Sequence, residues 1–230
     1  LQHTIHQEEG NRIWQLIKST GFVLQAIWYA LALSAVIALV LGRFSLAFVS
    51  IATLFLSLLP LFLAHRLSVR MPMSFLLFTT AFVFASIFLG EALDFYNKVW
   101  WWDLALHGSA AVGFGLLGFL LVFMLFEGDR FAAPPIALAL ITFCVAMTLG
   151  ASWEVFEFSM DQTLGLNMQK SGLNDTMGDL IVNGFGAIIA SLVGYLYIRY
   201  RNAGIFSPAL EQFITLNKAY YRKTIDRLKR

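Results

Sequence analysis

The chain has 230 residues, of which 59% are hydrophobic and 13% charged. A water-soluble domain carries roughly 25% charged residues, so an ordinary soluble core is excluded. The formal net charge of +2 gives no basic module outside the C-terminal tail, so no nucleic-acid partner is expected.

Residues 1–21 form a polar N-terminal segment containing Gln2, His3, Glu8 and Glu9, expected to be cytoplasmic or interfacial. No signal peptide is legible there, and the missing initial Met is read as a trimmed N-terminus. Six apolar runs follow: Phe22–Leu41, Phe44–Ala64, Met73–Gly90, Leu104–Phe126, Ile136–Trp153 and Leu180–Ile198. A bilayer core needs about 20 apolar residues per helix, and each run meets or nears that length. The runs are continuous rather than alternating, which predicts helices and excludes an open sheet in lipid. The fold class is therefore all-α: a polytopic membrane protein with six transmembrane helices over residues 22–200. The third, fifth and sixth spans are expected to extend into their charged ends. Pro60 should kink the second. Cys144, the single cysteine, lies inside the fifth run and is expected to be a packing residue. Gly113, Gly115 and Gly118 mark the fourth run, and Gly184, Gly186, Ala187, Ala190, Ser191 and Gly194 the sixth; such small faces predict close approach.

Residues 201–230 read as a basic, amphipathic cytoplasmic helix. Ser207 can cap it and Pro208 suits its first turn. Leu210, Phe213, Ile214, Tyr221, Ile225 and Leu228 recur at helical spacing among Lys218, Arg222, Lys223, Arg227, Lys229 and Arg230. That pattern predicts contact with anionic lipid.

Orientation follows from the basic residues. Both termini and the loops around Arg66, Arg70 and Arg130 hold 13 of the 16 Lys and Arg; Arg43, Lys98 and Lys170 lie on the other side. Both termini are therefore expected in the cytoplasm. Trp100, Trp101 and Trp102 should mark one interface, and Tyr195, Tyr197 and Tyr200 the other.

Charge within a membrane is costly, about 2.5–3.5 kcal/mol per residue on insertion scales, so its positions are informative. Eight of the 14 acidic residues flank the non-cytoplasmic ends of the last four spans. Glu91 and Asp94 end the third, and Asp103 with His107 begins the fourth. Glu154 and Glu157 end the fifth, with Asp161 beyond, while Asp175, Asp179 and Asn183 begin the sixth. These residues recur at i,i+3 or i,i+4, so each set shares a helix face. Asp103 and Asp175 could also cap helix starts, whereas Glu154 and Glu157 stand at a helix C-terminus, where the dipole disfavours anions. Inward carboxylates and His on facing helices can hold metal ions. Without thiolates the set favours Mg, Mn, Zn or Fe as a divalent cofactor. His107, Glu154, Glu157 and Asp179 are the expected core ligands, with Asp103 orienting His107.

Three segments carry a family resemblance: Trp101 to His107 (WWDLALH), Trp153 to Glu157 (WEVFE) and Asp175 to Ala187 (DTMGDLIVNGFGA). In these the chain resembles the YjdF-like family of uncharacterised bacterial membrane proteins. Asp103-x-x-x-His107 and Asp179-x-x-x-Asn183 are also similar to the VanZ-like family. The resemblance implies a bacterial inner-membrane location and supplies no reaction. Three functions fit: a metal-dependent hydrolase or transferase acting on a lipid or lipid-linked substrate, a non-enzymatic subunit or assembly factor with protein partners in a membrane complex, and an ion-coupled transporter. The last requires ionisable groups in the cytoplasmic halves of these spans, which are absent. Gly113-Phe114-Gly115 lies inside a span, so a dinucleotide fold is rejected. Ser109 follows His107 by two residues and faces elsewhere, which argues against a Ser–His–Asp hydrolase.

Overall fold

Backbone polar groups in lipid must be satisfied within the segment that carries them, and every long apolar run is helical. A computed structural model describes residues 21–66, 69–125 and 134–228, with side chains of the last helix described as far as Lys218. The helices are α1 (Phe22–Val40), α2 (Phe44–Arg66), α3 (Met73–Val83) with a π-helical continuation (Phe84–Ala92), α4 (Phe95–Lys98), α5 (Trp102–Leu125), α6 (Pro135–Leu164), α7 (Leu173–Tyr200) and α8 (Ser207–Leu228), the last preceded by a 3-10 turn at Gly204–Phe206. Six are long and apolar enough to cross a membrane: α1, α2, α3 with its continuation, α5, α6 and α7. No strand occurs among the described residues. The expected extension into charged ends is found, since α6 runs to Leu164 and α7 begins at Leu173. The N-terminal segment and the Arg130 loop lie outside the described residues.

The chain divides into two units between Lys98 and Val99. In the first, α1 and α2 form a hairpin. Gly42 (φ +68°) closes α1: its N–H donates to Leu39 O at 3.1 Å and that of Arg43 to Ala38 O at 2.8 Å. This is a Schellman closure, whose left-handed residue favours glycine. Ser50, Thr53 and Ser57 are buried, and each hydroxyl bonds a carbonyl of its own helix. Pro60 lies inside an uninterrupted α2. The π-helical turn departs from the plain helix expected. There Gly90 faces Tyr96, whose ring would lie 2.3 Å from an added Cβ, and Ser86 Oγ meets Tyr96 Oη at 3.2 Å. The wider winding accompanies a chain that folds back onto its own helix end.

In the second unit α5, α6 and α7 pack against one another in all three pairings, and α8 packs on α5. Small residues set the spacing, as expected. A Cβ at Gly186 would lie 2.6 Å from Gly108 O, one at Gly115 would lie 2.6 Å from Ala190 Cβ, and one at Gly118 would lie 2.7 Å from Val145 Cγ1. Ser191 Oγ donates across the interface to Ala139 O at 2.7 Å.

Tyr197 is buried against the bundle, edge-on to Phe119 and Phe123 with both ring centroids at 6.1 Å. Two sequence expectations are corrected here. Cys144 is exposed rather than packed. Ser207 caps the preceding turn, its Oγ accepting from Ala203 N at 2.6 Å. The apolar face of α8 is covered in its first turns, where Leu210, Phe213 and Ile214 are buried beside Asn217. Side chains from Tyr221 onward lie outside the described ones.

Candidate metal centre

The second unit gathers acidic groups from three helices around one imidazole. Asp103 and His107 are one turn apart on α5, Glu154 and Glu157 one turn apart on α6, and Asp179 and Asn183 one turn apart on α7. His107, Glu154, Glu157, Asp179 and Asn183 are buried, while the Asp103 side chain keeps 26% of its surface exposed. Asp103 is thus the opening of the cluster.

The imidazole divides the acids into two groups. On one side, His107 Nε2 lies 3.7 Å from Asp103 Oδ1 and 3.9 Å from Asp179 Oδ2. On the other, Nδ1 lies 3.5 Å from Glu154 Oε1 and 3.5 Å from the Asn183 amide nitrogen. One ligand atom from each of Asp103, His107 and Asp179 falls within a sphere of contacts no wider than 4.8 Å, a grouping able to hold a metal ion. Asn183 is set by Gly150, where an added Cβ would stand 2.5 Å from the amide nitrogen.

Hydrogen bonding is incomplete. Both Glu154 oxygens and Asp179 Oδ2 are fully buried without a hydrogen-bond partner. Thr176 interacts with Glu154 but does not complete a hydrogen bond by geometry. An unpartnered buried carboxylate costs several kcal/mol, so these atoms require a counter-charge or proton. The nearest such group for both is His107, and one imidazole cannot offset two carboxylates plus Asp103. An N/O donor set with unsatisfied buried oxygens fits a hard or borderline divalent cation.

The remaining candidates have local partners. Glu157 Oε1 accepts from Trp153 Nε1 at 2.9 Å. Asp175 Oδ2 accepts from Lys170 N at 3.1 Å. Asp161 takes the N–H groups of Met168 and Gln169 at 2.7 and 2.9 Å, anchoring the loop after α6. Glu91 and Asp94 belong to the first unit, and both are exposed. Asp94 (φ +62°) begins α4, accepting from Asn97 Nδ2 at 2.6 Å. Sequence reasoning passed over Trp153, Gly150 and Thr176 as parts of the site. Trp153 and Glu157, like Gly150 and Glu154, stand four apart on one helix, which was the available signal.

The model of the family described as "Predicted membrane protein (DUF2238)" matches residues 22–200. The chain belongs to this family. The DUF2238 match takes in every candidate span and all of the acidic cluster. An uncharacterized protein of Thermotoga maritima is 30% identical over 113 residues, covering 49% of this chain and 57% of that relative. The match thus spans little more than half of the relative's length. No solved structure matches the chain.

Proposed function

We propose that this DUF2238 protein holds a divalent cation at the extracytoplasmic end of α5, α6 and α7 and acts there as a hydrolase or transferase on a lipid or lipid-linked substrate. The observation that carries the reading is the set of buried, unpartnered oxygens of Glu154 and Asp179 on either side of His107. The geometry favours a different division of roles from the one expected on spacing. Asp103, His107 Nε2 and Asp179 are the ligands; Glu154 and Asn183, at Nδ1, orient the ring and select its tautomer. Glu157, held by Trp153, stands one turn beyond Glu154 and is the candidate proton acceptor. A bound cation would supply Lewis acidity or an acidified water. Asp103, the least buried of these side chains, gives substrate its approach.

A transmembrane ion relay has less support. Past Asn183 and Gly150 the bundle is lined by Gly115, Ala146, Ala187, Ala190 and Phe119, and among the described residues there no buried carboxylate, histidine, lysine or arginine follows to pass a charge onward. Cytoplasmic termini, an inner-membrane location, contact of the distal α8 with anionic lipid and the domain limits 22–200 and 201–230 belong to the same proposal. So does the likeness to the YjdF-like and VanZ-like families, which rests on Trp101 to His107, Trp153 to Glu157 and Asp175 to Ala187.

The test is elemental analysis of detergent-purified protein. A near-stoichiometric divalent ion is expected, and it should be lost in both Asp179→Asn and His107→Ala. If wild-type protein carries no such ion and Mn, Zn or Mg leaves its thermal unfolding unchanged, the proposal fails.

A further inference from the structure

A single cation between Asp103, His107 Nε2 and Asp179 leaves part of the cluster unanswered, and the imidazole shows which part. A ring nitrogen that ligates a metal must be bare, so with Nε2 on the cation the proton of neutral His107 sits on Nδ1. Two groups face Nδ1 at 3.5 Å, Glu154 Oε1 and the Asn183 amide. A hydrogen bond to a charged group is about twice as strong as one between neutral groups, so the Nδ1 proton points to the carboxylate. That serves Oε1 alone. Glu154 Oε2 is fully buried with no hydrogen-bond partner. A proton placed on it would lack an acceptor just as the bare oxygen lacks a donor. Glu154, only 4% exposed, thus keeps one oxygen that neither His107 nor the first cation satisfies.

Glu157 lies one helical turn further along α6 and is buried as well. Residues at i,i+3 on a helix place their Cβ atoms about 5–6 Å apart, near enough for two carboxylates to share one ion. Its Oε1 accepts from Trp153 Nε1 at 2.9 Å, which leaves Oε2 as a ligand atom. Carboxylates that ligate metals are commonly oriented by such a bond to their other oxygen. Helical bundles that hold two ions combine carboxylates from facing helices with pairs of ligands at i,i+3 on one helix. Glu154 and Glu157 are such a pair, and Asp103, His107 and Asp179 are the facing groups. Charge agrees. Asp103, Glu154, Glu157 and Asp179 are four carboxylates, whose full negative charge one divalent ion would halve and two would neutralise.

Resting on the metal reading above, we propose a second divalent-cation site beside the Nδ1 edge of His107, made by Glu154 Oε2 and Glu157 Oε2. One or two carboxylates completed by water are an ordinary ligand set for Mg, and oxygen donors suit Mn equally. One bound ion leaves Glu157 as the proton acceptor; two make it a ligand.

The experiment counts ions. The full chain in nanodiscs is stripped with chelator and dialysed against Mn, and wild type should take up about two ions per chain. Glu157→Gln should take up about one, and that ion should keep the nitrogen coupling of His107 in its pulsed electron-spin spectrum, which general damage to the cluster would abolish. Trp153→Phe covers the case in which Glu157→Gln does not fold. It keeps the carboxylate and removes only the N–H that orients it, so the weaker ion should bind with a Kd raised about 10–100-fold. The second site is overturned if wild type saturates at about one ion, if either folded variant titrates as wild type does, or if Glu157→Gln loses the histidine-coupled ion instead. Saturation at one ion leaves the metal reading intact. If wild type takes up no Mn at all, that reading falls first and takes the second site with it.

Discussion

Gly186 shows how little room the three-helix packing leaves. A side chain there meets the Gly108 carbonyl and Ala111 Cβ, and backbone cannot rotate aside as a flexible side chain can. Gly186→Val is expected to destabilise the protein by about 1–3 kcal/mol, through overpacking, read as a lower midpoint of thermal unfolding in detergent. Gly184, two positions away, has only Met147 Sδ at 4.0 Å, so Gly184→Ala serves as the tolerated control. Glu154 makes the opposite case. Its buried carboxylate lacks partners, so Glu154→Gln should raise the stability of metal-free protein while weakening metal affinity by about 10–100-fold, as loss of an orienting group does. Calorimetric titration with Mn, alongside unfolding in chelator, separates the two effects. Lower stability without metal together with unchanged affinity would refute this role for Glu154.

At the scale of elements, the apolar runs made the spans legible, and the charged ends announced their extension. Spacing also showed which acids share a face. It did not show which nitrogen of His107 each acid meets, because that depends on the relative rotation of three helices, which Gly150 and Gly186 set through contact. Nor did it show that Asp161 and Asp175 satisfy loop amides. Those bonds reach five to eight residues along the chain and depend on turns at Gly165 and Gly172. The π-helical stretch was invisible for a similar reason, since its residues are as apolar as those of a plain helix. For α8, amphipathicity was plain, but the occupant of its apolar face was not. Phe213 is wholly buried as α8 packs on α5. Phe213→Ala should cost about 3–5 kcal/mol, read as a fall in unfolding midpoint, with metal content unchanged. A variant as stable as wild type would mean that α8 is not docked in solution.

For the whole molecule, six candidate spans and the placement of Lys and Arg make a topological prediction. Cysteine introduced as Lys170→Cys should react with an impermeant maleimide added to intact cells, with Cys144 replaced by Ser to remove background. Cysteine at Asn202 should react only after lysis. Reversal of that pattern would invert the orientation and move the acidic cluster to the cytoplasmic side. The hold that Asp161 and Asp175 keep on the amides of residues 168 to 170 has one more consequence. Trypsin needs several residues pulled into extended form to cut after a lysine, and here the amides next to the Lys170 bond are tied to two helices. The bond should therefore resist digestion despite lying at the surface, and Asp161→Ala should turn it into a site of rapid nicking.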